Sequence, residues 1–518
     1  MERIPVSFLL LTLSLVSSAE ETPEYWYQQG QAEIELAARS IINTNQARNI
    51  ILFIGDGMGI STVTAARILD GQLRGEQGEE NALSFERLPY VGLIKTYNTN
   101  QQTADSAGTM TAIMTGVKTK AGMIAVNQRA RRADCASQAG NNLMTLLEQL
   151  EDTGHATGIV TTARITHATP AATYAHSTER DWESNGNMTV EAINKGCKDI
   201  ASQLVEFDHG DGIDLIMGGG RSYFFGENIS DVEYPKVYGK RIGAENLIKQ
   251  WQTRYPEGKY IWNKEQLVEI DINRTSHIFA LFEPSHMQFE SDREQDKGDE
   301  PSIVEMVDIA IKFLQRNKTG YFLMVEGGRI DHAHHYGNAY RALHDTVAFA
   351  KAVQLALAQV KQSDTLIIVT ADHSHVFTIG GYPTRGNNIL GLVVENDAHG
   401  KAKTEPVLAR DNLPYTTLGY YNGAGHAILG DITQRDDGID FGTPGRADIR
   451  TKNTKASNYY QESLVPLINE THGAEDVAIY AGGPWAHLFH GVHEQHYIYH
   501  VMRHALQLPE TKNRGTAE

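Results

Sequence analysis

Apolar residues in this chain gather in short unbroken runs and seldom alternate with polar ones. The runs are 49–54 (NIILFI), 157–161 (TGIVT), 214–217 (DLIM), 321–325 (YFLMV) and 365–370 (TLIIVT). Such runs are too short for core helices and read as strands buried on both faces. Between them the period lengthens. Segments 302–315 and 339–360 carry apolar residues at helical spacing, and another helix is expected to begin near Ser61. Strands separated by helices predict an α/β fold: a large, mostly parallel central sheet with helices on both faces. Ligands of such sheets collect beyond the carboxyl ends of the strands. An amphipathic helix is expected ahead of the first strand, over roughly 25–42. Two regions break the rhythm, 225–300 (polar, rich in acids) and 380–460 (rich in Gly, Asn and Asp). Both read as insertions on the core. The expected layout is a leader at 1–19, a helical arm at 20–47, a main domain at 48–510 and a polar tail at 511–518.

Composition narrows the partners. The 518 residues are 41% hydrophobic, the content of a globular protein, and carry a formal net charge of −18. That charge argues against nucleic acid and against anionic membranes, and any anion site would need strong local positive charge. Arg3, the apolar stretch 8–16 and the small residues Ser17, Ser18 and Ala19 form a secretory leader pattern. The stretch is too short to cross a bilayer, and the ending LPETKNRGTAE lacks an apolar anchor signal. The expectation is a soluble, exported protein, periplasmic or extracellular. In an exported chain the two cysteines, Cys135 and Cys197, can form one bridge; two free thiols are the alternative. Sequons stand at Asn187, Asn228, Asn273, Asn317 and Asn469.

The chemistry lies where the runs end. After 321–325 comes EGGRIDHAHH, with Glu326, Asp331, His332, His334 and His335; Asp331 and His335 share a face of one helical turn. Carboxylate and imidazole together suit zinc. After 49–54, Asp56 stands between Gly55 and Gly57; alone it could be a helix cap. In TADSAGTM, Ser106 falls at an expected helix start, where an anion is favoured. It is either an ordinary cap or a nucleophile, and with no histidine base near it in sequence a metal would have to activate it. The loop after 157–161 carries His167, Thr169 and Arg180. Thr169 precedes Pro170 and is expected to be extended; a guanidinium suits phosphate. Asp372 and His373 follow 365–370, and His472 is a lone histidine further on. Asp56, Glu326, Asp331 and Asp372 at one end of one sheet would repel one another unless divalent cations offset them. Such cations also supply the positive field a phosphate needs. The series His487, His490, His493, His496 and His500 is read as framework.

The motifs IGDGMG, TADSAGTMTA, THATPAATYAH, MGGGR, VEGGRIDHAHH, TADHSHVF, THGAEDVAIYA and GPWAHLFHGVHEQ resemble the alkaline phosphatases, the animal-type branch in particular, from about residue 25 to 508. The resemblance implies hydrolysis of phosphate monoesters at a site of two zinc ions and one magnesium ion. Ser106 would become phosphoserine and Arg180 would clamp the phosphate. Asp331, His335 and His472 would form the first zinc set, and Asp56, Asp372 and His373 the second. Asp56, Thr169 and Glu326 would form the magnesium set. His167 and His332 would lie just behind the metals, with His334 a bystander. It further implies a calcium-type site at Glu233, Phe282 (through its carbonyl), Glu283 and Glu300, a Cys135–Cys197 disulfide, and a homodimer embraced by the N-terminal arm and crowned by the second insertion. The competing readings are a phosphodiesterase or sulfatase of the same superfamily and a binding protein without catalysis. Ser106 together with Arg180 favours monoester hydrolysis.

Overall fold

The computed structural model describes residues 22–38, 42–426 and 446–509. The expected leader, the polar tail and part of the second insertion lie outside the described residues. The chain divides into two compact units, Met1–Ile42 and Asn43–Glu518. In the first, the helix Pro23–Ala38 occupies most of the expected amphipathic stretch.

The second unit is built on strands β1 (Asn49–Ile54), β2 (Tyr90–Lys95), β3 (Ala156–Arg164), β4 (Leu215–Gly219), β5 (Lys259–Ile261), β6 (Ile278–Leu281), β7 (Tyr321–Glu326) and β8 (Thr365–Thr370). These are followed by β9 (Ser374–His375), β10 (Phe377–Ile379), β11 (Leu418–Gly423), β12 (Ser463–Pro466), β13 (His472–Gly473), β14 (Val477–Gly482) and β15 (Gly491–Glu494). Ten of them form one sheet in the order β15-β2-β14-β8-β1-β7-β3-β4-β6-β5. Its centre is parallel, and every residue of β7 and β8 is buried. That explains the unalternated runs: with no solvent face, no position selects for polarity. Helices pack around the sheet. Helix Ile303–Leu314 lies on β3, β4 and β7 and against helix Ala339–Gln359. Its start is set by a capping box in which Ser302 and Glu305 exchange side-chain-to-backbone hydrogen bonds.

The sheet is mostly parallel, as expected; β14 alone runs antiparallel to its neighbours β2 and β8. Two expectations need correction. Region 225–300 is not wholly an insertion, because β5 and β6 extend the sheet beyond β4; strands of three and four residues inside a polar stretch leave little hydrophobic signal. Thr169 is helical, in the single turn Ala168–Ala171. Pro170 lies within that first turn, where its missing N–H costs no hydrogen bond. The described part of region 380–460 contributes β11 to a separate β10-β11-β12 sheet, whose outer strands flank the region in sequence.

Candidate metal-dependent active site

Register places the acids. Ile54 of β1 stands beside Glu326 of β7 and Thr370 of β8, and Thr161 of β3 stands beside Glu326 from the other side. The four central strands therefore end level, and Asp56, Glu326 and Asp372 emerge together, each fully buried. Gly57 makes the turn after Asp56 with φ +68, and a Cβ there would meet the His375 ring at 2.4 Å. Its N–H donates to Asp372 Oδ1 at 3.1 Å.

Two nests of ligand atoms adjoin. In one, Asp331 Oδ1 lies 3.4 Å from His335 Nε2, 3.4 Å from His472 Nε2 and 2.8 Å from His375 Nε2. Asp331 and His335 stand one turn apart on helix Arg329–His335. His335 Nδ1 donates to the Glu470 carbonyl and His472 Nδ1 to the Ala104 carbonyl, each at 2.7 Å, so both rings aim Nε2 at the centre. Outer acceptors of this kind fix the ring orientation of metal-binding histidines. In the other nest, His373 Nε2 lies 3.4 Å from Asp56 Oδ1 and 3.3 Å from Asp372 Oδ2. The rings of His373 and His472 stack at 3.6 Å, joining the two nests. A third group, Asp56, His167 and Glu326, lies alongside. Thr169 Oγ1 donates to Asp56 at 3.4 Å and Thr161 Oγ1 donates to Glu326.

The electrostatics suit cations. Burial, followed by the charges of Asp372, Asp331 and Glu326, pushes Asp56 well above the ordinary carboxylate range. Burial pushes Glu326 up to about 7. Burial also holds His167, His332 and His373 well below the usual imidazole value, so they are neutral and have lone pairs to give. Asp56 Oδ1 and Glu326 Oε1 are buried without hydrogen-bond partners. Unpartnered acceptors beside neutral imidazoles are the donor set of divalent ions.

Ser106 is the first residue of helix Ser106–Thr115, and its Oγ lies 3.2 Å from His373 Nε2. Asp105 caps that helix by accepting from the Gly108 N–H at 3.1 Å. Its other oxygen accepts from Arg180 Nη1 at 3.0 Å, and Arg180 Nη2 lies 3.2 Å from His167 Nε2. One carboxylate thus fixes both the helix start and the guanidinium beside it.

A match to the alkaline phosphatase family model spans residues 47–508. The chain belongs to the alkaline phosphatase family. It is 47% identical over 504 residues to the tissue-nonspecific alkaline phosphatase isozyme of Gallus gallus, covering 96% of this chain and 92% of that protein. To the isozyme of Homo sapiens it is 45% identical over 503 residues, covering 96% and 90%. Among solved structures, Thermus thermophilus alkaline phosphatase matches its fold with a TM-score of 0.62 at 23% identity, over 90% of this chain and 93% of that one. Alkaline phosphatases hydrolyse phosphate monoesters, and this chain is such an enzyme.

Several participants escaped the sequence reading. His375 sits on β9, which pairs antiparallel with β13 so that His375 faces His472. Its Nδ1 meets Glu470 Oε2 at 2.5 Å. Burial alone would lower the His375 pKa, yet Glu470 and Asp331 outweigh it and push it up to about 10. The His-Ser-His spacing of His373 and His375, directly after an apolar run, was the available signal. His286 packs on His332 with ring centroids 3.9 Å apart, and its sequence context carries no hint of this. Asp105 was visible only as a neighbour of Ser106. His334 is held between Thr62 Oγ1 (3.0 Å) and Tyr420 Oη (2.8 Å). Among the described residues, none of His487, His490, His493, His496 and His500 joins the grouped metal-binding side chains.

The calcium-type set also needs correction. Glu233 and Glu283 converge with Asp296 and not with Glu300. Glu300 Oε1 accepts from the Gln288 N–H at 3.0 Å and its own N–H donates to Asp296 at 3.0 Å, which ties Glu300 back as a neighbour of the set. Phe282 follows β6 and its side chain lies in the core. Cys135 and Cys197 are joined, with Cα atoms 6.1 Å apart.

Proposed function

We propose that hydrolysis proceeds through a phosphoserine at Ser106. The observation that carries this reading is the placement of Ser106 Oγ at a helix amino terminus, 3.2 Å from His373 Nε2, with Arg180 anchored by the same Asp105 that caps the helix. Ser106 Oγ gives its proton to solvent and attacks phosphorus in line, and the bond to the leaving alcohol oxygen breaks; that oxygen takes a proton from water. Water then attacks the phosphoserine, the Oγ–P bond breaks, and inorganic phosphate leaves. Arg180 and the first amides of the helix stabilise charge on the non-bridging oxygens. Zinc in the two imidazole-rich nests and magnesium in the oxygen-rich third would supply positive field and lower the pKa of the Ser106 hydroxyl and of attacking water.

Asp331, His335 and His472 would hold the first zinc, with His375 and Glu470 orienting Asp331. Asp56, Asp372 and His373 would hold the second. Asp56, Thr169 and Glu326 would hold magnesium, with His167 and His332 behind them. Calcium would take Glu233, Glu283 and Asp296. The apolar leader and the disulfide support export. Exposed Tyr27 and Ile34 on helix Pro23–Ala38 support an arm that reaches a second copy in a homodimer. The test of the mechanism is Ser106→Ala: aryl phosphate turnover should disappear while zinc and magnesium content is kept. Full activity in that variant would rule the mechanism out.

A further inference from the structure

Away from this site, a cavity of about 1190 Å³ opens beside the Cys135–Cys197 bridge. None of the residues assigned to hydrolysis lines it. Five ionisable side chains do: Glu148 and Asp152, one turn apart on helix Leu146–Asp152, His176 and His209, and Lys198, whose Nζ pairs with Glu206 at 2.5 Å. The polar atoms of the first four form a chain. His209 Nδ1 lies 3.1 Å from both Asp152 carboxylate oxygens. His209 Nε2 faces Glu148 Oε1 at 3.6 Å, and the same oxygen lies 2.8 Å from His176 Nε2. His176 Nδ1 donates to the Ala125 carbonyl at 2.9 Å. Glu148 is itself held, because its Oε2 accepts from the Thr145 N–H at 2.7 Å.

Both imidazoles therefore spend Nδ1 on an oxygen acceptor and turn Nε2 toward one carboxylate oxygen. Metal-binding histidines are oriented in this way by acceptors behind them. A plain ion pair accounts for His176 with Glu148. It does not account for His209, whose Nε2 turns to an oxygen already engaged, nor for the open volume in front of both rings.

We propose that Glu148, His176 and His209 bind one borderline-soft divalent cation, zinc foremost, with Asp152 orienting His209 and the cavity accommodating water ligands. Two imidazoles and a carboxylate are a zinc donor set. The nitrogens converge on the Glu148 oxygen, so the cation enters by displacing the proton between His176 and Glu148. Glu148, His176 and His209 do not yet stand close enough together to join the grouped metal-binding side chains, so His209, with 30% of its side chain exposed, must swing the remaining distance. The Thr145 hydroxyl donates to the Thr173 carbonyl at 2.7 Å, so the bound ion would brace the segment that leads from Thr169 to Arg180.

The test is calorimetric titration of zinc into the holoenzyme already loaded with its catalytic metals. The expected result is one further zinc per chain, lost in His209→Ala and in Glu148→Gln and weakened roughly 10-fold or more in Asp152→Asn, with aryl phosphate turnover unchanged in His209→Ala. Absence of a further zinc in the unmodified protein overturns the proposal. So does a further zinc that persists in His209→Ala. Should Glu148→Gln fail to fold, His209→Ala decides alone.

Discussion

Arg180 and Ser106 depend on one carboxylate, Asp105, which accepts from both the Gly108 N–H and Arg180 Nη1. Arg180→Ala is expected to lower kcat/KM for an aryl phosphate on the order of 100-fold and to weaken inhibition by inorganic phosphate, since it removes a preorganised cation from the transition state. Steady-state kinetics with phosphate as inhibitor checks this. At this scale the sequence was informative where a chemical side chain directly follows an apolar run, as Asp56, Glu326 and Asp372 do. It was silent where the role depends on pairing between distant segments. His375 and Glu470 become partners only because β9 and β13 form a two-residue ladder. The resemblance implied Glu300 for the calcium-type set, whereas the loop folds so that Asp296 meets Glu233 and Glu283.

At the scale of elements, the turn between β1 and helix Ile60–Leu73 sets where Asp56 points. Gly57→Ala would force a side chain into positive φ and against the His375 ring. The expected cost is about 1–3 kcal/mol, seen as a lower melting temperature, together with reduced zinc content; unchanged stability and full zinc would show that this turn does not position the site. The central parallel strands were legible because burial on both faces leaves unbroken apolar runs. Strand β14 was not, since its burial alternates with partly exposed positions, and β5 and β6 were hidden by their shortness. Thr169 shows a local rule overridden: a residue before proline avoids the helix on average, yet a single helical turn accommodates Pro170 in its first positions.

Across the whole molecule, buried acids without a cationic partner are held above their ordinary range, whereas Asp331, Asp105 and Glu148, each beside a histidine or arginine, lie below it despite burial. Burial pushes Glu326 up to about 7, Asp345 to about 8, and Glu151 and Glu300 to about 9. In the metal-stripped fold these groups keep protons that the unfolded chain releases near pH 4.5. The histidines that burial holds neutral (His167, His286, His332, His334, His335 and His373) work the other way below about pH 6.5, where the unfolded chain protonates them. Above about pH 7 they are uncharged in both states, so stability of the stripped protein should fall as pH rises from about 7 to 9. Metal binding requires ionised Glu326 and Asp56, so added zinc and magnesium should raise the melting temperature more at about pH 9 than at about pH 7. Thermal scans of stripped and reloaded protein at both pH values check the sign. A stripped protein more stable at about pH 9 than at about pH 7 would contradict it.

The acidic surface and the phosphate-cleaving site are reconciled only if positive charge is concentrated at the ends of β1, β7 and β8, and the reaction is committed there to Ser106. Rapid acid quench of the enzyme during aryl phosphate turnover, followed by peptide mass analysis, tests this most directly. The account predicts a phosphoryl group on the peptide that contains Ser106, absent in Ser106→Ala. Turnover with no phosphoryl group on that peptide, or with one on another residue, would contradict it.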